Sequence, residues 1–180
     1  MENAQHNFSQ GKNPLRPIVW GGAAALLLLP LVAMQFTNEV NWTLSDFVVF
    51  GVMLLVACGI YELAVRASSN KVYRLAAGIA VIGVFFQVWA ILAVGIIGNE
   101  SIPANLMFLS IPVVGVVGAI LARFKARGMA STLYAMSITQ VLIALVAWIV
   151  VGANILLMTG LFALLWLIAA GLFRKAAVAE

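Results

Sequence analysis

The sequence predicts an all-α integral membrane protein, a bundle of six transmembrane helices with both termini on the cytoplasmic side. Three observations carry that prediction. The chain has 180 residues, of which 64% are hydrophobic and only 9% charged, whereas soluble domains carry about 25% charged residues. The mean hydropathy is +1.12. Six apolar segments occur, and every Lys and Arg falls before the first, after the last, or in the second and fourth connections between them.

The segments are residues 17–36, 47–65, 75–97, 104–122, 131–151 and 153–173. Roughly 20 residues at a rise of about 1.5 Å cross a hydrocarbon core of about 30 Å, so each is long enough to span it. Alternating strand patterns of about ten residues are absent, and lipid leaves a spanning backbone only helices or closed barrels. The expected organisation is a cytoplasmic tail at 1–16, a six-helix domain at 17–173 and a cytoplasmic tail at 174–180. No linker is long enough to separate two domains. The first segment exceeds the roughly 7–15 residues of a secretory h-region and no A-x-A site follows it, so it reads as a retained helix.

Each element has a local justification. Pro17 opens the first segment, where a missing N–H loses nothing. Ser45 or Asp46 caps the second, and Asp46 suits the positive end of its dipole. Ser101-Ile102-Pro103 opens the fourth. Gly128 breaks the fourth connection, and Gly152-Ala153-Asn154 turns segments five and six into an antiparallel hairpin. Pro30 and Pro112, inside segments one and four, each remove a backbone hydrogen bond and predict kinks.

Charge sets the orientation. Lys12 and Arg16 precede the first segment; Arg66, Lys71 and Arg74 lie in the second connection, Arg123, Lys125 and Arg127 in the fourth, and Arg174 and Lys175 after the last. The first, third and fifth connections have no basic residue, so they face the outer, non-cytoplasmic side by the positive-inside rule. The net charge of +4 then needs only the anionic inner leaflet as its partner, and no basic face exists for nucleic acid. Trp20, Trp42 and Trp148 lie towards segment ends, as an aromatic belt requires.

Polar chemistry inside the segments is sparse. Gln87 and Gln140 fall near the middle of segments three and five, and equal depth allows one amide to bond the other. Ser137, Gln140, Ala144 and Ala147 form a small and polar stripe on one face of segment five, which Tyr134 extends. Gly115/Ala119 and Gly118/Ala122 in segment four, with Gly21/Ala25 in segment one, offer faces for close helix approach. These features read as packing first, and otherwise as a midplane pocket in which Gln87 and Gln140 contact a ligand. Trp89, Trp166, Phe85, Phe86, Phe162 and Met158 pack the bundle, face lipid, or line a pocket for an apolar ligand. Glu62 pairs with Arg66 one turn on, near the membrane boundary, and no chain of acids or histidines exists for proton transfer.

The outer connections concentrate the remaining polar groups: Asn38, Glu39 and Asp46 in the first, Asn99 and Glu100 with Asn105 in the third, and Asn154 in the fifth. Oxygen-rich groups without a cation suit a lipid headgroup, a docking partner or a hard cation such as Ca²⁺, and equally serve only as helix caps and the acidic complement of the charge rule. One cysteine, Cys58, and one histidine, His6, exclude an intramolecular disulfide and multi-histidine sites. Phosphate loops, HExxH, CxxC and GxSxG are absent. The residues single out no particular metal or cofactor, and an enzyme would have to bring Glu39 together with Glu100 or Asp46.

Residues 34–47 (MQFTNEVNWTLSDF), 59–63 (GIYEL), 93–100 (AVGIIGNE) and 103–106 (PANL) resemble stretches of small uncharacterised bacterial inner-membrane proteins with six predicted transmembrane helices. The resemblance covers most of the chain. It implies a bacterial cytoplasmic membrane and brings no catalytic residue with it. Three functions follow: a non-enzymatic accessory or scaffold subunit meeting a partner or headgroup at its periplasmic face, a small oligomeric transporter or channel with a midplane site at Gln87 and Gln140, and a lipid-modifying enzyme using periplasmic carboxylates.

Overall fold

A computed structural model describes residues 15–99, 101–152 and 155–179. Among the described residues the chain is helical, without strands: α1 (Leu15–Ala33), α2 (Leu44–Ala67), α3 (Lys71–Trp89), α4 (Ser110–Ala122), α5 (Ala126–Val151) and α6 (Leu156–Val178). A π-helical turn, Ala90–Val94, extends α3, and a 3-10 segment, Pro103–Leu109, leads into α4. With these extensions all six are long and apolar enough to cross a membrane. The six-helix expectation holds. The chain forms two compact units, one up to Cys58 and one from Gly59, so α2 contributes to both.

In the first unit, α2 begins three residues ahead of the apolar segment because a capping box builds its first turn. Thr43 is the cap: its carbonyl accepts from the Asp46 and Phe47 amides at 3.1 and 3.3 Å, and its hydroxyl donates to Asp46 Oδ2 at 2.7 Å. Asp46 Oδ2 accepts in return from the Thr43 amide at 2.7 Å. Ser45 and Asp46 therefore lie inside the first turn, and the capping position expected of them belongs to Thr43. Trp42 meets Phe47 and Phe50 edge to face at 5.2 and 5.3 Å, which ties the connection to the helix it precedes. Gly51 packs against the Leu27 methyls of α1. Gly21, expected at a close approach, has nothing within 4 Å of where its side chain would stand.

In the second unit, α5 packs against α4 and α6, and α6 also packs against α3. The interfaces are lined by small residues: Ala76, Ala77 and Ala80 on α3, Ala126, Ala130 and Ala147 on α5, and Ala169, Ala170 and Ala176 on α6, all buried. Lipid supplies little hydrophobic drive between helices, so close backbone approach and the dispersion it permits must hold them. Ser137 adds an interhelical bond, donating from α5 to the Ala163 carbonyl of α6 at 3.2 Å. Large apolar side chains such as Val116, Ile120, Leu142, Leu145, Leu161 and Leu164 point outward and are exposed. A water-soluble protein would not tolerate that much apolar surface, whereas lipid solvates it.

The α4–α5 hairpin differs from expectation at its turn. Gly128, read as a helix breaker, lies inside α5, where an added Cβ would stand 2.6 Å from the Ala122 Cβ; close packing requires that glycine. The turn is made instead by Arg123 and Phe124, both left-handed at φ 49 and 57. The Phe124 amide donates back to the Ala119 carbonyl at 3.2 Å, closing α4 as a Schellman motif without the usual glycine. The buried Tyr73 of α3 fixes this turn by donating its hydroxyl to the Phe124 carbonyl at 2.6 Å, and its ring meets Phe173 of α6 edge to face at 5.0 Å.

Pro112 also differs. The 3-10 segment carries the chain as far as Leu109, so Pro112 falls in the first turn of the α-helix proper, where a proline loses no α-helical bond. Pro30 stands in the last turn of α1, which ends at Ala33. At the other end of the chain, α6 continues through Arg174 and Lys175 to Val178, since cationic side chains at a helix C-terminus complement its dipole.

Candidate functional site

Two glutamines define the polar interior of the second unit. Gln87 and Gln140 are completely buried, at 0% exposure, and so is Trp166. Gln140 occupies the middle of α5, on the stripe of Ser137, Ala144 and Ala147 that is itself buried. Its Oε1 accepts from the Trp166 indole N–H at 3.5 Å. The other end of the same indole reaches α3: a Cβ on Gly83 would stand 2.6 and 2.8 Å from Trp166 Cζ3 and Cη2, and 2.5 Å from Leu165 Cδ2. Gly83 is therefore required for the indole to lie against α3. Gln87 comes one turn later on that face. Phe162 stacks on Trp166 with ring centroids 6.4 Å apart.

The expected Gln87–Gln140 hydrogen bond does not form. The indole of Trp166, on the helix that packs against both α3 and α5, takes the Gln140 oxygen instead. This leaves Gln87 Nε2, Gln87 Oε1 and Gln140 Nε2 buried with no hydrogen-bond partner. Each such atom costs roughly 1–3 kcal/mol when desolvated and unpaired. Among the described residues, no other buried side-chain nitrogen or oxygen lacks a partner. Trp166 was legible as a midspan aromatic; its bond to Gln140 was not, because the order of helices around the bundle decides it.

The third connection is organised by a residue with a purely structural signature. Segment three was expected to run to residue 97, but regular α3 ends at Trp89, the π-helical turn ends at Val94, and Gly95 takes φ 80. Ile96 and Ile97 then lie buried outside any helix, so their amides must find acceptors elsewhere. Asn105, 1% exposed, supplies them: its Oδ1 accepts from the Ile96 and Ile97 amides at 2.8 and 2.7 Å. Its Nδ2 donates to the Ile97 and Asn99 carbonyls at 3.2 and 2.6 Å. All four directions of this one amide are used on backbone. The sequence signal for this clamp was an asparagine at the start of an apolar segment, shortly after Gly95 and Gly98.

The other described candidate residues are exposed. Asn38, Glu39 and Asp46 are exposed in the first unit, and Asn99 is exposed in the second. Thr37 Oγ1 accepts from the Glu39 amide at 3.1 Å. Asp46 is committed to capping α2, and Asn99 Oδ1 accepts from the Ser101 amide at 3.1 Å. Glu100 and Asn154 lie outside the described residues. No group of three or more His, Cys, Asp or Glu side chains placed to hold a metal occurs among the described residues. Glu62 and Arg66 form the expected one-turn ion pair.

These arrangements define an all-helical protein with six membrane-length apolar helices, whose second unit has a sealed polar interior. Comparison with protein-family models, curated proteins and solved structures finds no match.

Proposed function

We propose that the chain is a non-enzymatic multi-pass protein of a bacterial inner membrane, an accessory or scaffold subunit with both termini cytoplasmic. Its first and third connections meet a protein partner or a lipid headgroup at the periplasmic face. The observation that carries this reading is a contrast: Asn38, Glu39 and Asn99 are exposed, whereas Gln87 and Gln140 are sealed at 0% exposure. A transporter or channel, alone or as a homo-oligomer, needs a water-accessible route past those glutamines. The lipid-modifying enzyme needs free carboxylates, and Asp46 already serves its own helix. The basic second and fourth connections, with no Lys or Arg in the first, third and fifth, support the orientation.

A photo-reactive residue introduced at Glu39 or at Asn99 in native membranes is expected to give one discrete adduct of protein or phospholipid mass. The same residue at Ile120, on the outward apolar face of α4, is expected to give a mixture of bulk phospholipid adducts and no discrete one. Identical mixtures at all three positions would contradict the reading.

A further inference from the structure

We propose that Gln87, Gln140 and Trp166 form an enclosed binding site for a small uncharged molecule that both donates and accepts hydrogen bonds, water being the smallest of that class. The proposal goes beyond the scaffold reading and does not depend on it.

The chemistry of the ligand follows from the atoms left over. Gln87 Nε2 and Gln140 Nε2 are donors, Gln87 Oε1 is an acceptor, and none has a partner. All belong to residues at 0% exposure, so neither bulk water nor an adjacent side chain satisfies them. Isolated amides in an apolar surround are unfavourable, and natural cores pair them with protein or with an enclosed polar molecule that makes two to four bonds. A hydroxylic molecule offers both functions, donating to Gln87 Oε1 and accepting from an Nε2 group. The third member, Trp166, is already occupied: its indole N–H is spent on Gln140 Oε1, which leaves the Gln140 Nε2 hydrogens as that residue's free function.

The ligand is uncharged because nothing near the site would balance a charge. The Lys and Arg side chains of α3, α5 and α6 stand in the end turns: Lys71 and Arg74, Arg127, and Arg174 and Lys175. Described stretches of these helices between those turns contain no Asp, Glu, Lys or Arg, and an unpaired ion in such an interior is strongly disfavoured. A second feature marks the same place. The helix bearing Gln87 changes from α to π three residues later, at Ala90, whose N–H is shared between the Gln87 and Phe86 carbonyls, and π-helical turns within helices concentrate at functional positions.

The test rests on a sign. If nothing satisfies the carboxamide, replacing Gln87 by leucine removes two unpaired polar atoms and raises the thermal unfolding midpoint of the full chain in lipid nanodiscs. If the site is filled, Gln87→Leu strands the ligand's hydrogen bonds and lowers the midpoint by about 3 °C or more, the expected result. An unchanged or raised midpoint would overturn the proposal. Should the variant fail to fold, density in a high-resolution structure of the unaltered protein decides. Compact density within about 3.5 Å of the Gln87 carboxamide identifies water, extended density a larger hydroxylic solute, and either supports the site. Absence of density there overturns it.

Discussion

Replacing Gly118 by valine is expected to reduce the stability of the second unit by roughly 2–3 kcal/mol, the range of an overpacked core. A Cβ at this position would stand 2.4, 2.6 and 2.9 Å from Cγ2, Oγ1 and Cβ of Thr132. The last of these atoms is fixed to the α5 backbone, so the clash cannot be relieved by a rotamer change alone. The helices must separate, and in a bilayer their association depends on that closeness. A Cβ at Gly115, one turn earlier, would stand 2.9 Å from Met136 Sδ; a flexible thioether can yield, so Gly115→Ala is expected to be milder. Gly171 has nothing within 4 Å, and Gly171→Val serves as the control. Resistance to denaturant in lipid or detergent checks the set; equal behaviour of the Gly118 and Gly171 variants would contradict the packing.

Asn105→Leu is the second large effect, at roughly 2–4 kcal/mol. The substitution keeps approximate shape but removes the acceptor of two buried amides and the donor to two carbonyls. Unsatisfied buried groups are penalised at roughly 1–3 kcal/mol each, partly recovered where the loop relaxes into contact with solvent. The loss should be local before it is global. Amide hydrogen exchange at Ile96 and Ile97 is expected to accelerate, while exchange within α5 stays slow. Unchanged protection at those two amides would show that Asn105 is not their acceptor.

Much of the architecture was legible because hydropathy and charge act on one residue at a time. The six apolar stretches and their approximate limits need only length and composition. Gly115 and Gly118 were visible as a small-residue face because helical spacing is a property of one segment. What escaped depends on partners distant in sequence. Gly128 looks like a breaker until Ala122 is known to lie against it, and Pro112 looks like a kink until the 3-10 segment before it is seen. Thr43 outcompetes Ser45 as the cap because Asp46 is at the spacing that returns the bond.

The candidate site divides along the same line. Gln87 and Gln140 stand out in any hydropathy reading as amides amid apolar residues. Their failure to pair does not, because it follows from the position of Trp166 on α6. The exposed residues of the first connection were legible as a polar group, and their local bonds to Thr37 and Thr43 are short-range features of that sequence.

Cysteine accessibility tests the central claim, a sealed helical bundle with its polar groups displayed at one membrane face. In a Cys58→Ala background, Asn38→Cys, Glu39→Cys, Lys125→Cys, Gln87→Cys and Gln140→Cys would be treated with a membrane-impermeant maleimide from each side of sealed vesicles. The account predicts labelling of positions 38 and 39 from one side, of position 125 from the opposite side, and of positions 87 and 140 from neither. Labelling at 87 or 140 would reveal a water-filled route to the glutamines and contradict it.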